Sequence, residues 1–302
     1  MKFFESKGFI LKKAAFLIVI AGVLWGSMGI FVRTLSPWGL SSLQITFIRC
    51  IVTSVLLILY LLITDRNALR IKLRDIWIFL GSGILSILFF SVCYSSAIVL
   101  SSMPVAAVLL YTAPAMVTVM AAIFFREKLT AQKIAALVAA FAGCVLVSGI
   151  GTDTRLTAAG FLTGLGAGFG YALYSIFGKV ALKKYSVMTV TKYTFTVAAV
   201  AAMPFANIPQ ILQASVENEL GWLVVLLTGV VTGVIPYVLY TQGLKNTEAS
   251  IASIVASVEP LTATVLGVTL YQDRLSFGNV MGIVCIIGAI IILAIKIPKK
   301  AK

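Results

Sequence analysis

Residues 251–270 read IASIVASVEPLTATVLGVTL, an apolar stretch in which Glu259 and Pro260 stand side by side. Residues 111–114 read YTAP, so Pro114 stands 146 residues before Pro260 and Ala113 stands where Glu259 does. A carboxylate is costly inside an apolar run, and a proline interrupts a helix. The shared proline suggests two related halves, and the unshared acid marks a position that the halves use differently.

The composition is that of a membrane protein. Hydrophobic residues make up 60% of the 302 residues and charged residues 11%, whereas a soluble domain carries about 25% charged residues. The chain has no histidine, and its four cysteines lie in apolar runs without paired spacing. The one Gly-Lys pair, at 178–179, precedes valine, so there is no Walker loop. We expect no metal, no cofactor and no nucleic-acid partner, and we attribute the net charge of +14 to basic residues on one side of a bilayer.

Apolar runs separated by polar breaks predict an all-α integral membrane protein. A helix needs about 20 apolar residues to cross the hydrocarbon core. The runs give ten transmembrane helices, at about 13–33, 41–64, 76–98, 103–125, 131–150, 157–181, 187–206, 220–243, 250–270 and 277–297. Residues 1–12 are then an N-terminal segment and 298–302 a basic tail. The first run leads straight into a second, so we do not expect a cleaved signal peptide.

Basic residues predict the orientation. With a cytoplasmic N-terminus, 20 of the 24 lysines and arginines fall in inside segments. Arg33, Arg155 and Arg274 fall outside, and Arg49 lies within the second span. Since cytoplasmic loops carry the excess of basic residues, we expect a multi-pass protein of the plasma membrane with both termini in the cytoplasm.

The 146-residue offset extends well beyond the prolines. It aligns Ala21-Gly22 with Ala167-Gly168, and FREKL at 125–129 with YQDRL at 271–275. The chain is therefore predicted to contain two repeats, 13–150 and 157–297, of five spans each. Because five is odd, the second repeat enters the membrane from the opposite side. Such inverted repeats are common in secondary transporters, which hold solute between the halves.

Four motifs together carry a family resemblance: LWGS at 24–27, FIR at 47–49, and the two long stretches 111–130 and 258–276. On these the chain resembles the EamA-type transporters of the drug/metabolite transporter superfamily, over nearly its whole length and as two EamA units. The resemblance implies ten helices, alternating access, and export of amino acids or related metabolites.

Aromatic and proline residues within the spans are candidates for the solute pathway. Trp25 and Tyr171 are equivalent in the two repeats and lie mid-span, away from the interfaces where such residues are common. The other pathway candidates are Tyr94, Tyr111 and Tyr240. A second set is predicted to kink or gate helices: Pro114, Pro236 and Pro260. The alternatives are aromatic wedges between helices and structural kinks without gating.

Two ionisable residues are predicted inside the membrane. Glu259 falls near the middle of its span and Arg49 somewhat towards the outside. An intramembrane charge is a functional-site hypothesis by default. Glu259 is a candidate solute-binding or proton-carrying group, with a structural hydrogen bond or an ion pair with Arg49 as alternatives. For Arg49 a structural role is favoured.

These observations favour a secondary transporter exporting an amino acid or similar metabolite. A proton-coupled importer of an amine or cationic solute is the alternative, with Glu259 as counter-charge. An integral-membrane enzyme or sensor is disfavoured, because the chain lacks histidine, paired carboxylates within a span and a soluble domain. The expected partners are a small solute, protons in the coupled alternatives, and the lipid bilayer. The sequence does not set the oligomeric state.

Overall fold

The computed structural model describes residues 2–149, 156–274 and 276–294, with side chains from residue 13 onward. The predicted ends at 150 and 295–297, and the tail 298–302, lie outside the described residues. Within these ranges helices are the only regular secondary structure. Its α-helices are α1 Lys2–Gly26, α2 Met28–Leu35, α3 Ser42–Thr64, α4 Ile76–Leu80, α5 Phe89–Leu100, α6 Met103–Leu110, α7 Ala113–Phe125, α8 Ala131–Val147, α9 Ala158–Ala181, α10 Val187–Ala202, α11 Ile208–Glu217, α12 Gly221–Gly229, α13 Ile235–Asn246, α14 Ala249–Val255, α15 Val258–Tyr271 and α16 Phe277–Ala294.

The predicted count of ten spans is not confirmed. Eight helical segments of the described chain are long and apolar enough to cross a membrane, and a ninth qualifies if the bent pair Val187–Phe205 and Ile208–Glu217 is one span. That pair bends by 94°. The segment predicted at 131–150 is the 17-residue helix α8. At 1.5 Å per residue it is about 26 Å long, short of a hydrocarbon core of about 30 Å.

Local irregularities recur at the repeat offset. The helix of span 4 breaks between α6 and α7, and that of span 9 between α14 and α15. Both C-terminal halves end on a left-handed residue at φ 56°, Arg126 and Gln272. Two π-helical segments, Gly81–Leu88 and Val230–Val234, also overlap at this offset. One backbone plan therefore occurs twice, which supports the duplicated unit.

The core lies where the repeats meet. Helix α1 packs on α13, α14 and α15, and its counterpart α9 packs on α5, α6 and α7. Helices α3 and α10 form another contact between the repeats, and α8 with α16 a third. Each repeat therefore places its first helix against the third and fourth spans of the other, and side chains from both halves meet in the centre.

Glycines permit the closest of these contacts. A methyl group on Gly22 of α1 would lie 3.1 Å from the Ala256 carbonyl oxygen, and one on Gly168 of α9 would lie 3.3 Å from that of Leu110. These carbonyls stand four residues before Pro260 and Pro114, which have no N–H to donate to them. The pair Gly22 and Gly168, like the pair Leu110 and Ala256, is equivalent in the repeats. A small residue on the first helix is thus required beside each helix break.

Candidate functional site

An aromatic cluster occupies the centre of the molecule. The Trp25 ring, near the end of α1, lies with its centroid 4.9 Å from that of Tyr237, 5.2 Å from Tyr240 and 6.3 Å from Tyr171. Trp25, Tyr237 and Tyr240 are buried and Tyr171 is partly buried. The equivalent residues Trp25 and Tyr171, paired by sequence alone, are therefore close in space.

A cavity opens within this cluster. It is lined by Trp25, Ser86, Ile87, Phe90, Tyr171, Tyr174, Ser175, Tyr237 and Tyr240. The volume open to a water-sized sphere is about 10 Å³, the room that one water molecule needs. Two hydroxyl pairs stand at its wall, Tyr174 with Thr241 and Ser175 with Tyr240, each at 2.7 Å. In this conformation the cavity is too small to hold an amino acid.

Glu259 adjoins the cavity through Tyr171. The Tyr171 hydroxyl donates a hydrogen bond to Oε2 of Glu259 at 3.1 Å. Glu259 is the second residue of α15, where the free N–H groups of a helix start favour a negative charge. No basic side chain of the described residues lies within ion-pair distance of it. The predicted alternative of an ion pair with Arg49 is therefore not formed in this conformation.

Tyr94 and Tyr111 lie on the Glu259 side rather than at the wall of the cavity. Both hydroxyls are within electrostatic range of the Glu259 carboxylate and of each other. Tyr94 stacks on Phe90, with centroids 5.7 Å apart, and Phe90 contacts Tyr171 at 5.8 Å. The five predicted aromatics are therefore divided: Trp25, Tyr171 and Tyr240 line the cavity, and Tyr94 and Tyr111 do not.

The three predicted prolines follow breaks or irregularities in their helices. Pro114 is the second residue of α7, Pro260 the third of α15, and Pro236 the second of α13, just after the π-helical segment Val230–Val234. Proline is tolerated in the first turn of a helix because the N–H there has no intrahelical partner. A new helical segment thus begins just before Pro114 and Pro260, whereas at Pro236 a continuous helix passes from π-helical to α-helical geometry.

Arg49 lies on α3 and is 6% exposed. Its Nε has no hydrogen-bond partner, and none of the ion pairs among the described residues includes it. The Cys50 thiol is one of the neighbouring side chains that interact with the guanidinium. The indole Nε1 of Trp25 is likewise buried without a partner.

A buried network at the end of α7 was not anticipated from the sequence. Glu127 accepts hydrogen bonds from the backbone N–H groups of Ala249 and Ser250, at 2.7 and 3.2 Å, and from the Ser250 hydroxyl at 2.5 Å. Lys133 pairs with Glu127 at 3.8 Å and with Glu248. Glu127 of repeat 1 therefore caps helix α14 of repeat 2. The aligned motifs FREKL and YQDRL contained the signal, since Glu127 aligns with Asp273.

Lys192 is a second residue that the sequence did not single out. It was counted among the inside basic residues, but it lies within α10, is 5% exposed, and places Nζ 3.1 Å from the centroid of the Tyr193 ring. Over the described ranges no group of three or more Cys, Asp or Glu side chains is arranged to hold a metal ion.

Comparisons with known proteins agree with this architecture. The EamA-like transporter family matches residues 12–149 and 158–295. Uncharacterized transporter YxxF of Bacillus subtilis is 25% identical over 95% of this chain and 91% of its own length. An uncharacterized transporter of Archaeoglobus fulgidus is 27% identical over 91% of this chain and 94% of its own. A protein crystal structure with 18% identity superimposes with a TM-score of 0.77, covering 93% of this chain and 96% of that one, so the fold is shared. Because two consecutive family matches span nearly the whole sequence, the chain belongs to the EamA-like transporter family.

Proposed function

We propose that this protein is a plasma-membrane secondary transporter that exports an amino acid or a related small metabolite by alternating access. Family membership supports transport, and the resemblance to EamA-type exporters supports the direction and the solute class. The aromatic cavity between the repeats, with Glu259 beside it, is where two halves of opposite orientation would hold a solute.

The alternating-access proposal rests on a difference between two equivalent corners of the fold. The first corner is Glu127 with the start of α14, and the second is Asp273 with the start of α6. At the first corner Glu127 caps α14, and its side chain is 8% exposed. At the second, Asp273 does not cap α6 but pairs with Arg33 at 3.1 Å, and its side chain is 49% exposed. The Ser102 hydroxyl at the start of α6 is buried without a partner.

Two conformations follow from this difference. The repeats are related in sequence, so exchanging the two arrangements gives a second state in which Asp273 caps α6 and Glu127 releases α14. The exchange would open one side of the cavity while closing the other. In the second state the exchanged contacts replace most of those lost, so the two free energies differ by about a few kcal/mol, with the state described here the more stable.

The proposed topology has ten spans with both termini cytoplasmic, α8 and the α10 segment being the fifth and seventh. The repeats then occupy 13–150 and 157–297, flanked by 1–12 and 298–302. A cysteine placed at Thr152, on a background without native cysteines, should react with an impermeant thiol reagent from outside, and one at Asn67 should not. The opposite labelling pattern would contradict this orientation.

Transport itself is tested by counterflow. Proteoliposomes are loaded with each of the twenty standard amino acids, and entry of the same labelled amino acid is followed, with protein-free liposomes as control. At least one should accumulate transiently, because a carrier exchanges labelled for unlabelled solute. Absence of counterflow for all twenty would contradict the proposed solute class.

Proton-coupled import of an amine is the second candidate, favoured by the absence of a basic partner for Glu259 among the described residues. A carboxyl that binds either a proton or an ammonium group exchanges one for the other. An imposed pH gradient distinguishes the two directions. Coupled import predicts uptake of a labelled amine against its gradient, whereas the proposed exporter predicts net release of amino acid.

A further inference from the structure

Arg49 is a buried cation without a protein anion. It is 6% exposed, and its Nε donates to no group. A guanidinium removed from water costs several kcal/mol unless its charge and donors are satisfied. The Cys50 thiol beside it is a weak acceptor. Structural arginines are ordinarily held by carboxylates or carbonyls, and neither satisfies Nε here, so the arrangement suits an acceptor that comes from outside the chain.

A second unsatisfied donor belongs to the aromatic cluster. The indole Nε1 of Trp25 has no partner, although the residue is 8% exposed. Tyr237 connects the two donors: its ring is 4.9 Å from that of Trp25, and its hydroxyl is within electrostatic range of Arg49. Gly233, one turn earlier, brings α3 close, since a methyl group there would lie 3.2 Å from Cγ of Arg49. Both donors therefore belong to residues that neighbour the segment carrying Gly233 and Tyr237, and one acceptor bound between them would satisfy both.

The negative charge of Glu259 lies on the other side of the aromatic cluster from Arg49. Glu259 interacts electrostatically with Arg49 but forms no ion pair with it. The Tyr171 hydroxyl donates a hydrogen bond to the Glu259 carboxylate, and the Tyr171 ring contacts the Trp25 ring, at 6.3 Å between centroids. The cation and the anion are thus separated by aromatic side chains. A solute with both charges satisfies both groups, whereas an amine would leave Arg49 unpaired.

We propose that Arg49 and the indole N–H of Trp25 bind the carboxylate of a zwitterionic α-amino acid, while Glu259 receives its ammonium group. This proposal rests on the proposed function and narrows its solute class to molecules with a free α-carboxylate. The cavity lining then contacts the remainder of the solute once the helices separate.

The test compares acids with their amides on the full chain in lipid nanodiscs. Binding of the twenty standard amino acids is measured by calorimetry, followed by the α-amides of those that bind. Acetate, isovalerate and 3-phenylpropionate serve as carboxylates without an amino group. The variants are Arg49→Gln, Arg49→Lys and Trp25→Phe. Arg70→Gln, at an exposed residue outside the cavity and the proposed conformational exchange, is the matched control for loss of a positive charge.

In the wild type, amidation should weaken binding about tenfold or more, because it removes a charge-assisted hydrogen-bond acceptor. Arg49→Gln should weaken the acid as much and the amide little, so that the two losses are not additive. Arg49→Lys, which keeps the charge, should retain the preference for the acid. Trp25→Phe should reduce that preference several-fold, and Arg70→Gln should leave it unchanged.

Each other result has one meaning. Equal binding of acid and amide, or an Arg49→Gln loss shared by both, overturns the carboxylate subsite and leaves amino-acid export standing. If only the simple carboxylates bind, with the same dependence on Arg49, the zwitterion proposal and amino-acid export both fail. If no amino acid and no carboxylate binds, the subsite proposal also fails. If Arg49→Gln does not fold, Trp25→Phe decides, since an unchanged acid preference in that variant overturns the proposal.

Discussion

Replacing Glu127 by alanine should destabilise the protein far more than the same change at Asp273, its equivalent in repeat 2. Glu127 accepts three hydrogen bonds from Ala249 and Ser250 and is 8% exposed. Asp273 is 49% exposed and pairs with Arg33, itself 52% exposed. The two residues align and both follow a left-handed helix end, so the comparison isolates the capping contact.

The expected loss of unfolding free energy follows from these contacts. Removing a helix cap costs about 0.5–2 kcal/mol, and a hydrogen bond to a charged group contributes about 1.5–3 kcal/mol. Water can reach part of the emptied site, so we expect about 2–4 kcal/mol for Glu127→Ala rather than the full sum. The exposed ion pair of Asp273 contributes about 0–1 kcal/mol.

Reversible unfolding of each purified variant in mixed micelles, followed by circular dichroism against denaturant, measures both losses. Glu127→Gln should fall between the wild type and Glu127→Ala, because an amide oxygen still accepts from the backbone of α14. Losses that are equal at the two positions, or a larger loss for Asp273→Ala, would refute the assignment of Glu127 as the stronger helix cap.

Three further changes test other parts of the structure. Gly168→Ala places a methyl group 2.8 Å from Oγ1 of Thr112 and 2.9 Å from the Leu109 carbonyl oxygen. Because the methyl group overpacks this contact, the variant should lose about 1–3 kcal/mol of unfolding free energy. Its control, Gly29→Ala, meets no atom within 4 Å and should be neutral or stabilising; similar losses would contradict the close contact. In Glu259→Gln the new amide oxygen can still accept the hydrogen bond from Tyr171, so thermal stability should persist. Amino-acid affinity should fall about tenfold or more at every pH. Unchanged affinity with a flattened pH profile of transport would indicate proton transfer instead. Tyr240→Phe removes the hydrogen bond to Ser175 and should lower the melting temperature, in line with a loss of about 1 kcal/mol of unfolding free energy. Its control, Tyr271→Phe at a partly exposed ring, should leave the melting temperature unchanged. Equal melting temperatures for the two variants would argue against a structural role for the hydrogen bond.

The sequence alone predicted the features that are local or repeated along the chain. Apolar run length placed the helices, because a membrane helix satisfies its own backbone and must be apolar over a minimum length. The 146-residue offset predicted which residues are equivalent, and Trp25 and Tyr171 do lie together. The paired prolines marked the helix breaks before α7 and α15, since a proline restricts where a helical segment starts.

The sequence was less informative about where helices end and where they bend. Hydropathy ended the seventh predicted span at 206 and did not reveal the helix Ile208–Glu217, which follows Val187–Phe205 after a 94° bend. It also gave no reason to end α8 at Val147. The predicted ten spans therefore correspond to eight or nine helices of sufficient length among the described residues.

Only the tertiary structure decided which side chains meet. It divided the aromatics between those that line the cavity and those that do not, kept Arg49 from an ion pair with Glu259, and placed Lys192 in the interior. It also gave Glu127 a buried capping role that its equivalent Asp273 lacks, although the aligned motifs look alike. The physical reason is that each of these contacts joins different helices, so it depends on how the helices pack and rotate. Periodicity along a single helix predicts a face, but not the group that lies opposite it.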